Sequence, residues 1–434
     1  MALESQPSGV IFWVACNTTV TAGTISFIHK ILSILQRIAH SQNEKSRIAE
    51  EVEISDLCIE FNLKRIKTYQ TRLQPPLKKC LKALGTSRKL ADKPLADWLR
   101  SFQGFDDDLT GLCRFSYQQR SSPYIRELRQ HIGDEISGMT KDESRKQDFL
   151  LARHYIGRLG SHLKAAKILT AAGWRMPELF DNFDIRIRPS PKAPSFPPPT
   201  DGLTTLEGII KRMLPAQSNE IERYQEALAV MDNKFQILDR LQAQFTDKDF
   251  KPRVHAELNL LEYLYNNRIP FVGDDRFIGC SKPACYCCYH YISLHPGGFV
   301  RPSSHGIRYL NWRLPDPIDD TNLEEERHRR VILNKLIAQI RLDALRQIDQ
   351  CRGPSPWHPD STTGITNSFN HNGGQIGFRV HMSTKPVEEL TSETLGDYEQ
   401  QSESLAATES ILSDSLHEDE SSDSDGGVQL HVDF

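Results

Sequence analysis

Two short groups of residues in this chain have the types and spacing for metal-assisted hydrolysis. The first is Val254-His255-Ala256-Glu257, where a nitrogen ligand is followed two positions later by a carboxylate. The second is Cys285-Tyr286-Cys287-Cys288, whose outer cysteines are three apart and share one face of a helix. Zinc takes tetrahedral nitrogen and sulfur ligands, and a catalytic zinc keeps one position for water. His255, Cys285 and Cys288 make three ligands and leave that position open. Water held there loses its proton near neutral pH and can attack an amidine carbon. Glu257, in the first turn of the same helix as His255, is suited to take that proton, hand it to a ring nitrogen and assist the departure of ammonia.

The elements that must position these groups are legible around them. Leu258, Leu260, Leu261 and Leu264 follow the first group with helical periodicity, so His255 and Glu257 belong to a helix N-terminus. Residues 276–280 are strand-like, Pro283 suits a helix start, and residues 289–294 continue as helix. Thiolates form more easily at such a start, because the positive end of the helix favours the anion. A Cys-x-x-Cys alone also marks redox and structural zinc sites. A His-x-Glu and a Cys-x-x-Cys on successive helix starts, with a strand between, is a more specific pattern, and it is the arrangement of zinc deaminases.

The residues from Val254-His-Ala-Glu257 through Ile278-Gly-Cys-Ser-Lys-Pro-Ala-Cys-Tyr-Cys-Cys288 to Ser304-His-Gly306 and Trp312-Arg-Leu-Pro315 resemble the nucleic acid/nucleotide deaminase superfamily. The resemblance is to a branch widespread in fungal proteins and related to bacterial toxin-type deaminases. It implies an α/β/α sandwich with both motifs at helix N-termini facing one edge of a central sheet. It implies a zinc ion on His255, Cys285 and Cys288, with zinc-bound water as nucleophile and Glu257 as proton shuttle. His305 and Trp312 match pocket positions that would touch substrate. Two departures stand out. Ala284 lies between Pro283 and Cys285, and the hairpin that ordinarily precedes the His-Ala-Glu helix is not visible, since residues 235–244 read as helix.

The expected reaction is hydrolytic deamination of a base in a nucleotide or a single-stranded nucleic acid. The alternative is a zinc-binding but inactive deaminase-like module in a protein interaction scaffold, with a protein partner on the N-terminal helices. A thiol oxidoreductase using Cys285 and Cys288 is the third possibility, and it leaves His255 and Glu257 without a role. Other residues near the motifs have plainer readings. Cys280 and Cys287 read as core, Trp312 as core before stacking platform, and His290 and His295 as surface. Residues 327–330 read as the ion-paired face of a helix.

The rest of the chain divides by composition. Residues 1–188 read as a mostly helical N-terminal domain, with apolar three- and four-residue steps from Ile25 through Ile38; the apolar start at 10–16 reads as a buried strand or helix start. Residues 189–200 form a linker, with six prolines between 189 and 199. The deaminase-like domain spans 201–352 and includes amphipathic helices over 203–244 and 323–350, the latter with Asn322 as a cap. Residues 353–385 read as loop with one more strand at 378–382. From residue 386 the chain carries 14 acidic residues and no Lys or Arg, a disordered acidic tail. The remaining 385 residues then carry a net charge of +10, which tolerates a polyanionic partner without demanding one. No apolar run reaches the ~18–20 residues that span a bilayer. The cysteines cluster rather than spread, against a disulfide framework, so an intracellular compartment, cytoplasm or nucleus, is expected.

Overall fold

The computed structural model describes residues 1–41, 44–86, 92–105, 107–132, 141–192, 204–246, 250–317, 323–353 and 427–429. It is mostly helical with a small sheet. Strands β1 (Ala2–Gln6) and β2 (Gly9–Val14) form an antiparallel hairpin, with Ala2 opposite Trp13 and Gln6 opposite Gly9. Seven helices follow: α1 (Ala22–His40), α2 (Glu44–Phe61), α3 (Leu63–Gly85), α4 (Asp92–Arg100), α5 (Leu109–Gln119), α6 (Pro123–Ile132) and α7 (Lys141–Arg175). Strand β3 (Phe183–Ile187) then returns beside β2 in parallel, Val10 opposite Phe183. After it come α8 (Leu206–Met213), α9 (Ile221–Phe235), α10 (Ile237–Thr246), α11 (Ala256–Asn266), α12 (Tyr286–Leu294), β4 (Ile307–Tyr309) and α13 (Leu323–Asp349).

Helices α1 to α7 occupy the stretch where helical periodicity is expected, and the apolar start at 10–16 proves to be the strand β2. Every residue from Val10 to Val14 is buried. The twofold alternation of a strand sends their side chains to two different cores. Val10 and Phe12 join Ile31, Leu35 and Ile38 of α1 with Ile54 of α2 and Ala166 of α7. Ile11 and Trp13 join Leu258, Leu261, Cys285, Cys288 and Tyr291 of α11 and α12. The sheet therefore lies between two helical layers, and the layer that carries the candidate ligands packs directly on the hairpin. A third core belongs to α3 to α7, around Tyr69, Leu73, Phe102 and Phe149. A fourth, around Ile210, Tyr224, Leu228 and Ile348, joins α8 and α9 to α13.

No hairpin directly precedes α11, where α10 (Ile237–Thr246) stands instead; the hairpin of the sheet lies at residues 2–14. Its outer edge faces the segment after α11. Glu4 bridges Phe271, the Ser5 N–H donates to the Pro270 carbonyl at 2.9 Å, and the Gly279 N–H donates to the Met1 carbonyl at 2.8 Å. One glycine is required by a close approach. At Gly9 (φ 151°) a Cβ would lie 2.1 Å from the Asn182 carbonyl oxygen, the same oxygen that accepts the Val10 N–H as the chain enters β3.

Some expectations fall outside the described residues: most of the proline-rich linker, the Asn322 cap, the strand at 378–382 and the body of the acidic tail. Of the tail, residues Gly427–Gln429 are described. They form β5, antiparallel to β4 with Ile307 opposite Gln429. Among the described residues, no helix is long and apolar enough to cross a membrane.

Candidate active site

Both motifs sit at helix starts, as their spacing predicts. His255 is the N-cap of α11 and Cys285 the N-cap of α12, each with extended backbone. An N-cap side chain ordinarily accepts a hydrogen bond from the first turn. The Cys285 Sγ does so, from the Cys288 N–H at 3.4 Å. The His255 ring does not, because it turns toward the thiols. Its place is taken from far upstream, where the Asn17 Oδ1 accepts the Ala256 N–H at 2.8 Å. No local sequence signal marks Asn17, which follows β2.

The His255 Nδ1 lies 3.4 Å from the Cys285 Sγ and 3.3 Å from the Cys288 Sγ. All three candidate ligand atoms lie within 4.8 Å of one another, and all three residues are buried. Donors held ~2.0–2.3 Å from a common tetrahedral centre stand about 3.5 Å apart, so this set fits zinc in both chemistry and spacing. The Glu257 Oε1 lies 3.9 Å from the His255 Nδ1, and its side chain is only 13% exposed. A carboxylate thus adjoins the ligand set. The two thiols are electrostatically unequal. Burial opposes ionisation of Cys285, but hydrogen bonds from Cys288 and His255 outweigh it and bring Cys285 down to about 6. Burial, then the neighbouring Cys285, drives Cys288 well above the ordinary thiol range.

The residues around this set have definite partners. The Trp312 indole N–H donates to the Cys288 Sγ at 3.3 Å, so this side chain serves the sulfur and is only partly buried. Its backbone is tied beside the first motif by an Arg253–Trp312 bridge. Ala284, the residue that breaks the Pro-Cys spacing, exchanges backbone hydrogen bonds with the loop bearing His305: its N–H donates to Ser303 and its carbonyl accepts from His305. The His305 Nδ1 accepts the Ile307 N–H at 3.1 Å, which leaves the ring proton on Nε2. Burial, then the Lys282 cation, pushes His305 down to about 4, so it is neutral at physiological pH. Its ring meets Tyr309 edge-on, and Tyr309 in turn meets His255 edge-on at 5.6 Å between centroids. Tyr309 and Lys282, like Asn17, carry no motif that would single them out.

Three plainer readings are corrected. Cys280 is exposed rather than core, because the segment carrying it is the strand-like edge beside β1. His290 is half-buried against Tyr286, with ring centroids 4.4 Å apart. His295 is buried completely: its Nδ1 accepts the Gly297 N–H at 3.0 Å and its Nε2 lies 3.2 Å from Glu262 Oε1. Cys287 is buried, as expected, and burial pushes its thiol up to about 12. The 327–330 face is ion-paired, through Arg327–Glu324 and Arg330–Glu326.

No curated protein and no solved structure matches the chain. Residues 254–316 match the family model described as OTT_1508_deam-like deaminase, a span that contains every residue of the ligand set, Glu257, His305 and Trp312. The segment that carries the His255–Cys285–Cys288 cluster is a deaminase-superfamily domain.

Proposed function

We propose that the chain is a zinc-dependent hydrolytic deaminase acting on a base in a nucleotide or nucleic acid. The observation that carries this reading is the convergence of one imidazole nitrogen and two thiol sulfurs, buried at two helix starts, with the Glu257 carboxylate beside them. A zinc ion bound there would supply Lewis acidity and a water acidic enough to react near neutral pH.

The chain's own residues divide the remaining work. Glu257 accepts a proton from the attacking water and delivers it to the ring nitrogen of the amidine. It then takes the proton of the newly added hydroxyl and passes it to the exocyclic amine as the C–N bond breaks, so that water and the amino base become the carbonyl base and ammonia. The Trp312 indole N–H holds the Cys288 Sγ in place, as outer partners of ligands do. His305, neutral and protonated on Nε2, offers a hydrogen bond to a carbonyl of the base.

Ammonia release from cytosine and adenine nucleosides, single-stranded DNA and RNA is the test, with zinc per chain measured in parallel by elemental mass spectrometry. Turnover by the wild type and none by Glu257→Ala, each with about one zinc, is the expected result. A wild type that holds zinc but releases no ammonia from any of these substrates overturns the reading.

A further inference from the structure

Helix α3 has a composition unlike any other element of the chain. Its 23 residues include Lys64, Arg65, Lys67, Arg72, Lys78, Lys79 and Lys82, and no Asp or Glu. Its apolar side is fully committed, with Ile66, Tyr69, Leu73, Leu77, Cys80 and Leu84 buried in the core of the bundle. At 100° per residue, Lys64, Lys67, Lys78 and Lys82 fall on the opposite side within about 60° of one another, with Thr71 and Pro75 between them. All four lysines are exposed. The cationic stripe they form runs roughly 27 Å from Lys64 to Lys82.

An ordinary solvated face would intersperse acids with these cations, as the first turns of α13 do through Arg327–Glu324 and Arg330–Glu326. Among the described residues, Lys64, Lys67, Arg72, Lys78 and Lys82 have no carboxylate within ion-pair distance. Lys79, at the margin of the stripe, does: it pairs with Asp148 at 3.2 Å. Midway along, Gln70, Thr71, Gln74, Pro75 and Lys78 line a shallow groove of about 430 Å³, so amide and hydroxyl groups interrupt the lysines.

We infer that the Lys64–Lys82 face of α3 is a docking surface for the phosphate backbone of a single-stranded nucleic acid. Unpaired lysines in line neutralise successive phosphates and release counterions. The stripe is long enough for about eight stacked nucleotides at ~3.4 Å each. The Gln74 amide in the groove can donate to sugar and phosphate oxygens, while the Gln70 amide donates to the Phe105 carbonyl and the Thr71 hydroxyl to the Lys67 carbonyl.

Binding of a single-stranded oligonucleotide of about twenty nucleotides, DNA and RNA in separate arms, tests this by fluorescence anisotropy across a salt series. The full chain is used with Glu257→Ala, so that the readout does not depend on turnover and a failed deaminase reading is seen separately. Replacing Lys64, Lys67, Lys78 and Lys82 by Gln should flatten the slope of log K against log salt by about 3, at ~0.7 per phosphate on a single strand. The Kd at low salt should rise by a factor of ten or more, while zinc content and thermal unfolding show the fold intact. A second variant, with Lys30, Lys211, Lys234 and Lys335 replaced by Gln, removes the same charge elsewhere and should change the slope by less than about 1. Equal effects of the two variants, or no oligonucleotide binding at low salt, would overturn the inference. So would binding to phosphatidylserine vesicles that the oligonucleotide cannot displace.

Discussion

The two ends of the helix pair α11 and α12 hold the same kinds of groups to different purpose. At their N-termini stand a histidine, a glutamate and two cysteines; toward their C-termini stand Glu262, Tyr291 and His295. In the second cluster the groups answer one another. The Tyr291 hydroxyl donates to Glu262 Oε1 at 2.7 Å, His295 Nε2 lies 3.2 Å from the same oxygen, and the Gly297 N–H donates to His295 Nδ1. There a carboxylate is met by a hydroxyl donor and faces an imidazole. In the first cluster an imidazole nitrogen and two sulfurs converge, with N···S distances of 3.3 and 3.4 Å and a carboxylate beside them. A buried nitrogen and two sulfurs at tetrahedral spacing suit a zinc ion, whereas a buried carboxylate among a hydroxyl and an imidazole is held by those neighbours. The difference separates a site from a clasp, although composition alone would rank the two alike.

The sharpest way to break that comparison is to remove a ligand. His255→Ala or Cys285→Ala should take zinc from about one per chain to none and ammonia release to background, measured by elemental mass spectrometry and a coupled ammonia assay. Glu257→Gln should keep the zinc and lower the rate by ~10²–10⁴, the range of a lost general acid–base group. Retained zinc with a lost rate distinguishes the carboxylate from the ligands.

Changes at the clasp should do the reverse. Glu262→Gln should cost about 2–4 kcal/mol of stability in denaturant unfolding, as expected for a buried carboxylate stripped from its partners, with zinc per folded chain unchanged. Burial opposes the Glu262 charge, but hydrogen bonds from His295 and Tyr291 outweigh it and hold the carboxyl below its ordinary range. A depressed folded-state value means that this contribution is present above the unfolded carboxylate's titration and is lost as pH falls through the folded value. The wild type should therefore lose stability on acidification below about pH 4.5, and Glu262→Gln should lose less, as unfolding free energies across that window would show. The smallest expected effect is at Asn17. Asn17→Ala removes the cap of α11 and should cost about 1 kcal/mol, or ~2 °C in Tm by calorimetry. A drop in activity larger than that stability loss would show that the cap also sets the pose of His255.

The His255–Cys285–Cys288 cluster is readable in the sequence because its geometry is local. Helix starts, a three-residue cysteine spacing and a carboxylate two positions past a histidine are short-range facts. What escaped was set by long-range pairing. The strand character of residues 10–14 could be suspected from their apolar run, but nothing nearby says that Trp13 will pack with α11 and α12, or that Asn17 will cap a helix 239 positions later. His295 reads as surface in the sequence for the same reason: its neighbour Glu262 lies on another helix, and a lone histidine near a helix end has no periodicity to betray burial. Cys280 erred the other way, since a strand-like context suggested a core that the edge position does not provide.

Both flanks of the long helical excursion are fastened to one short element. Asn17, just before α1, holds the first N–H of α11, and just after β3 the Pro189 carbonyl accepts from the Asn259 amide of the same helix at 2.8 Å, with Arg188 Nε donating to Asn259 Oδ1 at 3.2 Å. During synthesis the hairpin is therefore made first and waits, its Ile11 and Trp13 side uncovered, until α11 and α12 have been translated. At ~5–20 residues per second that wait is tens of seconds, ample time for the intervening bundle to fold on its own local contacts. The two helices that carry the His255–Cys285–Cys288 cluster then have to close onto a scaffold already built. A fragment that begins after the proline-rich stretch would carry every ligand yet lack the sheet on which they are mounted.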